Sequence, residues 1–384
     1  MTSQKTPLSI LNEKVLIVCG SGGVGKTTVS ASIALEAARQ GKKAIVITID
    51  PAKRLSTSLG ISGIHDEPKD ITALLKKQLG EESIRGSLHA LMLDAKGLFD
   101  RTILKNSPSQ EFAQKILNNH LYQILSSQYG GSQEYMAVQQ LMETYQHQDF
   151  DLIVLDTPPT RNALDFLDAP SRLTNFLDEK VIDWFAKPIE SLRGNSQKTG
   201  LAARILSKGS EIAFRVFEKL VSTQFLQDFS VFIHSFYNLR ATFFKTAQSI
   251  NDLLSNHHVG FLLVCSPEKA SLEEGTFFKT LLKKKALPFL GTLINRVTPE
   301  FGKLKNPPSV YPKKVGPLIS IHEAFSKKRR EQLDRISAFN REEASSLFIQ
   351  IPDHSLEVND LEALFWVAGQ IFSDTTSATN GEHL

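Results

Sequence analysis

Lys14-Val-Leu-Ile-Val-Cys-Gly-Ser-Gly-Gly-Val-Gly-Lys-Thr-Thr28 is an apolar run, a glycine-rich turn and the start of a helical pattern that ends near Gln40-Gly41. Gly20 to Thr27 fits G-x-x-x-x-G-K-[ST], and the strand before it and helix after it are the context that motif requires. Glycines let the backbone wrap a phosphate chain, so that successive N–H groups point inward at a helix N-terminus, where the helix dipole also favours anions. In that reading Gly20, Ser21, Gly22, Gly23, Val24, Gly25, Lys26, Thr27 and Thr28 cradle a nucleotide. Lys26 reaches the β and γ phosphates, and the Thr27 hydroxyl ligates Mg²⁺.

Working outward, apolar runs recur between helical patterns, as in βα units that feed a largely parallel sheet. They are Lys43–Ile49, Ala90–Leu93, Leu152–Leu155, Val259–Cys265, Phe289–Ile294 and Leu347–Ile351, so about seven buried strands are expected with the first. Leu152-Ile-Val-Leu-Asp156 ends in an acid, the form of an element that holds Mg²⁺ directly or through water. Thr157-Pro-Pro-Thr-Arg-Asn162 follows at the carboxyl edge, where ligands sit in open parallel sheets. It is a candidate γ-phosphate sensor. Asp50 also ends a buried strand, and a carboxylate there either positions or deprotonates an attacking water or caps a helix.

Ser271-Leu-Glu-Glu274 and Asn359-Asp-Leu-Glu362 carry a capping residue with Glu three positions later, so each is expected to start a helix. Residues ~96–147 and ~170–255 show no strand signal and read as one helical subdomain inserted between sheet elements. Phe225, Phe229, Phe232 and Phe236 fall on one helix face. That stripe either packs on sister helices or lines a groove for an apolar client.

Composition bounds the rest. A chain of 384 residues has room for two or three packing units at ~150 residues each. The net charge of +3 is too small to imply nucleic acid or an anionic membrane in bulk. Gly302 to Arg330 holds eight Lys or Arg against Glu323 alone, and Pro307, Pro308, Pro312 and Pro317 make its first half a loop. Two cysteines, Cys19 and Cys265, build neither a disulfide framework nor a four-ligand zinc site. No stretch reaches the ~18 uninterrupted apolar residues of a membrane span, and no secretory leader is legible, so the expected location is cytoplasmic. After Arg341 there is no Lys or Arg, which argues against a basic membrane-binding tail.

The P-loop, Asp50-Pro-Ala and Asp156-Thr-Pro-Pro-Thr160 together resemble the ArsA-type ATPases, the group of the arsenite-pump ATPase and the ATPase that targets tail-anchored proteins. The likeness covers roughly residues 14–372. Gly131-Ser-Gln-Glu-Tyr-Met136 and Arg161-Asn-Ala-Leu-Asp-Phe166 look like stretches of the bacterial single-domain branch. The resemblance implies an α/β fold, a doubly wound and mostly parallel sheet with a deviant Walker A loop and a helical insertion. Its segments are core at 14–95, 148–169 and 256–372, insertion at 96–147 and 170–255, and a disordered tail at 373–384. It implies ATP and Mg²⁺ as cofactors and a dimer closed by nucleotide. Asp50 resembles the water-activating acid and a metal-site residue beside Thr27 and Asp156. Asn295 resembles the adenine reader, and Ile351-Pro352 the backbone that closes the adenine pocket.

The sequence departs from the family pattern at three places. The signature Lys at the second loop position, which reaches across the dimer, is Ser21 here. The Cys-x-x-Cys zinc pair and the arsenite cysteines are absent, so no zinc is expected. Methionines are four, against the Met-rich client helices of the targeting ATPase. Without the signature cation, Lys53, Arg54 and Arg161 are the nearest substitutes, and Arg161 is the first choice because a guanidinium fork matches phosphate oxygens. Arg161 paired with Asp165 on the following helix is the other account. Three functions remain in play: a Mg²⁺-dependent ATPase that reshapes a helical client site, a slow or inactive subunit paired with a paralogue that donates the lysine, and a partition- or positioning-type ATPase.

Overall fold

The computed structural model describes residues 6–49, 67–128, 132–147, 149–157, 223–302, 312–341, 346–354 and 361–373, with Leu55, Leu59, Leu167, Asp168, Arg172 and Asn175 as single positions. β1 (Val15–Cys19), β2 (Lys43–Thr48), β3 (Lys69–Asp70), β4 (Ser87–Met92), β5 (Leu152–Asp156), β6 (Val259–Cys265), β7 (Phe289–Val297) and β8 (Leu347–Pro352) form one sheet in the order β3-β4-β2-β5-β1-β6-β7-β8. Every pairing is parallel except β3 with β4. All seven expected strands are present. The eighth, β3, has two residues, too short to leave a periodic signal.

β1, β5 and β6 are buried at every position, as expected of parallel strands covered on both faces. Each fully buried Leu, Ile or Val contributes about 1.5–3 kcal/mol relative to exposure. On one face α1 (Lys26–Arg39) packs on β2, β5 and α10 (Leu361–Phe372). α1 is nearly enclosed, and its one buried acid, Glu36, is held by Arg39 at 2.6 Å and Gln40 at 2.8 Å. α2 (Thr72–Leu79) lies beside the β4 edge, with Leu75 in the core.

By their contacts, 1–94, 140–166 and 252–384 form one compact unit, and 95–139 with 167–251 a second. The second contains α3 (Ala95–Asn106), α4 (Gln110–Leu117), α5 (His120–Gln128), the start of α6 (Ser132–His147) and most of α7 (Thr223–Leu254). Its core is aromatic. Phe232 and Phe236 lie 4.4 Å apart, and Phe99, Tyr122 and Phe243 ring Phe236 at 6.0–6.4 Å. Phe232 and Phe236 are each 2% exposed. This half of the Phe stripe is interior packing among sister helices, not a groove for a client.

Two expectations are corrected. α8 (Lys269–Lys284) starts behind Glu268, so Ser271 lies inside its first turn instead of capping it. Its hydroxyl accepts from the Ser266 N–H at 3.0 Å, a bond to the strand-end turn that outweighs the capping position. In the basic segment, α9 (Pro312–Asn340) begins at Pro312 and runs through Pro317. A first-turn proline forfeits only an N–H that has no helical acceptor, so Pro312 opens the helix instead of breaking it. The expected helix start at Asn359-Asp360 lies outside the described residues. Among the described residues no helix is long and apolar enough to cross a membrane.

Gly291→Ala is expected to lose about 2 kcal/mol or more of unfolding free energy in urea titration, because a Cβ there meets the Leu347 carbonyl of β8 and the strands must part. Gly23→Ala, which opens onto free space and pays only for its positive φ, should cost about 1 kcal/mol. Cys19 and Cys265 are free and buried, and burial pushes both thiols up to about 12. As the thiolate is the reactive form, Ellman's reagent at pH 8 should find neither in the native chain and both after denaturation.

Candidate nucleotide site

The Gly20–Gly25 loop leaves the carboxyl end of β1 at the centre of the sheet, between β5 and β6. Gly20, Gly23 and Gly25 all have positive φ, at 152, 78 and 93 degrees. At Gly20 a Cβ would collide with the Val264 carbonyl of β6, and at Gly25 with the Asn295 carboxamide of β7. Gly25 caps α1 in left-handed geometry with no side-chain cap, and the first N–H groups of a helix lack helical acceptors. A left-handed glycine turn that presents such N–H groups is a concave anion seat.

Lys26 is 6% exposed and folds back over the loop, its Nζ donating to the Gly20 and Ser21 carbonyls at 2.9 Å each. Opposite stands Asp156. The register aligns it with Val18 of β1 and Thr48 of β2. Its Oδ2 accepts from Thr27 Oγ1 at 2.6 Å and from Thr48 Oγ1 at 2.9 Å. Thr157 turns away, donating both its N–H and its hydroxyl to the Val18 carbonyl at 3.3 and 2.9 Å. A hydroxyl and a carboxylate at the mouth of an anion-binding loop are hard oxygen donors of the kind Mg²⁺ takes alongside substrate phosphates. Among the described residues no three His, Cys, Asp or Glu side chains gather as a metal site of their own.

Ser21 does not reach outward. Its hydroxyl meets Ser271 Oγ at 3.1 Å, and Ser271 in turn accepts from the Ser266 N–H. The second loop residue is therefore tied to the start of α8 in its own chain. Asn295 lies beside the loop, with Nδ2 donating to the Val24 carbonyl at 2.8 Å and Oδ1 accepting from the Arg296 N–H at 3.0 Å. Arg296 takes φ 63 at a register shift of β7, and its guanidinium donates to the Gly23 carbonyl at 3.2 Å. Ile351 is fully buried in the core and Pro352 half-buried, while Asp353 donates its N–H to the Val297 carbonyl at 2.7 Å.

Along the outer side of the loop runs a cavity of about 640 Å³. It is lined by Ser21 to Val24, by the Ser266-Pro267-Glu268 turn and α8, and by Arg296, Gln332 and Asp353. Asn295 and Ile351 do not border it. The residues that do, Arg296 and Asp353, follow one and two positions later. Asp50, Lys53, Arg54, Pro158 to Asn162, Arg161 among them, and Asp165 lie outside the described residues. Thr48, Arg296 and Gln332 carried no motif, and Ser271 carried only that of a helix start. Thr48 alone had a usable signal, a hydroxyl at the carboxyl end of a central strand next to the loop.

Residues 13–307 match the anion-transporting ATPase family. ATPase ASNA1 homolog 1 of Paramecium tetraurelia is 28% identical over 285 residues, 74% of this chain and 75% of its own. ATPase GET3 of Lachancea thermotolerans is 25% identical over 65% of this chain and 71% of its own. ATPase get3 of Aspergillus terreus is 30% identical over 44% and 47%. With that match along most of its length, and with a P-loop at the centre of a parallel sheet, the chain belongs to the anion-transporting ATPase family of ATP-hydrolysing P-loop enzymes.

Proposed function

We propose that the chain hydrolyses ATP to ADP and phosphate at the Gly20–Thr28 loop with Mg²⁺, and that nucleotide-driven closure of two subunits reshapes a partner-binding surface on the helical unit. The observation that carries the chemistry is the junction of Thr27 and Asp156 at 2.6 Å beside a lysine held on the loop carbonyls. Loop N–H groups and Lys26 bind and orient the β and γ phosphates. Thr27 and Asp156 would hold the cation, with Thr48 fixing the carboxylate from β2. A bound Mg²⁺ would neutralise charge on the β and γ oxygens. Asp50, which follows β2 in the sequence, orients the attacking water and takes its proton, and Arg161, which follows β5, offers the γ-phosphate a guanidinium.

Exposed apolar side chains on the helical unit, Leu104, Ile124 and Phe244 at 42–44%, support an apolar protein client there. Two buried, unbridged cysteines are compatible with a cytoplasmic chain. Ser21 favours a second reading, a slow subunit that relies on a paralogue for the missing lysine, since its hydroxyl is spent inside its own chain. The partition-type alternative gains less. Of the basic residues that motivated it, Arg329 is bound to the Thr298 carbonyl.

Steady-state ATP turnover by the purified single chain separates these readings. Lys26→Ala and Asp50→Asn should each lower kcat at least ~100-fold. Arg161→Ala should cost at least ~100-fold as well, since loss of a transition-state cation typically costs about 10³–10⁵. A parent chain that is inactive but gains turnover with Ser21→Lys points to the paralogue. Turnover that survives Lys26→Ala sinks both.

A further inference from the structure

We propose that Gln332 is a specificity-determining residue of the nucleotide site, its Nε2 donating to an acceptor on the nucleoside. The proposal rests on the nucleotide reading above and extends it to the end of the ligand that the P-loop does not touch.

Gln332 lies in α9 and is 2% exposed. Its Oε1 accepts from the Thr298 N–H at 2.9 Å, which fixes the carboxamide, since a flip would set NH₂ against N–H. The Thr298 peptide is itself anchored, its carbonyl accepting from Arg329. That leaves the two Nε2 hydrogens. Among the described residues no acceptor meets them, and the group is not sealed from solvent. A carboxamide held at its oxygen, with a donor that meets only solvent, is available to a ligand. Gln332 borders the cavity beside the P-loop.

The cavity's charges define what it accepts. Glu268, Glu274 and Asp353 disfavour a second anion, while Arg296 and Lys328 disfavour a free cation. A neutral group with donors and acceptors of its own satisfies both sets. Val24, Pro267 and Ala270 add an apolar wall for a flat ring. At about 640 Å³ the cavity falls within the size range of small-ligand sites. A heterocyclic base with its ribose has these properties, and a nucleotide held by the loop carries one.

The experiment is calorimetric titration of the full chain and two variants with Mg-ATP and with Mg-tripolyphosphate at pH 8, alongside ATP kinetics and thermal melts. Gln332→Glu keeps an oxygen for the Thr298 N–H and replaces the donor by a carboxylate. Gln332→Met removes both. For Gln332→Glu the expected result is KM for ATP and its Kd raised about tenfold or more, with kcat and tripolyphosphate affinity close to the parent's and a cooperative melt that shows the chain still folded. If Gln332→Glu binds ATP like the parent while Gln332→Met loses both binding and melting temperature, Gln332 serves Thr298 alone and the proposal is overturned. Equal losses for ATP and tripolyphosphate overturn it too, because the residue then acts on the phosphate end. Failure of the nucleotide reading has a separate signature, a parent chain that binds neither ligand, and the proposal falls with it.

Discussion

The carboxylate of Asp156 is the point at which three segments far apart in sequence must agree. It accepts from Thr27 at the start of α1 and from Thr48 at the end of β2. Both bonds depend on register: Asp156 stands opposite Val18 on one side and Thr48 on the other. A slip of one residue in either pairing would turn the carboxylate to the other face of the sheet. The fully buried strands around it make such a slip expensive, because every side chain of β1 and β5 already has a hydrophobic neighbour. Core packing and site geometry are one constraint here.

Ser21 shows what a loop does when its second side chain is not a cation. A lysine there would be free to leave the chain. A serine is short, and it is captured by Ser271, which the Ser266 N–H has already oriented. The loop is then braced from α8 through Ser21, from β7 through Asn295 and Arg296, and from within by Lys26 on the Gly20 and Ser21 carbonyls. These bonds go to carbonyls or side chains on the loop and use none of its N–H groups, which is the arrangement an anion seat needs. Such bracing organises the site before a nucleotide arrives, which is where electrostatic preorganisation comes from.

Strands, loop and the acid that ends β5 were legible in the sequence because each is a short-range signal: an apolar run of strand length, a glycine spacing, an acid at a strand end. What was not legible depends on pairing across the sheet. Ser271 has the spacing of a capping box, yet the turn between β6 and α8 claims its hydroxyl. Pro317 reads as a breaker, yet it is carried inside a long helix, at the loss of one backbone bond. Gln332 sits among charged residues with no periodic feature, and only the approach of α9 to Thr298 gives it a role. The Phe stripe carried the right residues and left their destination open. Its burial followed from helices that supplied Phe99 and Tyr122 from elsewhere in the chain.

The bulge in β7 explains why neighbouring residues serve two different surfaces. In a regular strand Asn295 and Arg296 would point to opposite faces, one into each layer of the core. The register shift between Ile294 and Val297 and the left-handed φ of 63 at Arg296 break that alternation. Asn295 is thereby directed to the Val24 carbonyl, and the Arg296 guanidinium to the Gly23 carbonyl. A non-glycine residue in that conformation costs about 1–3 kcal/mol. Three hydrogen bonds offset it, the two to the loop and the one from the Arg296 N–H to Asn295 Oδ1. All three end on or beside the P-loop, so the strain is held where it shapes the site and not in the body of the sheet.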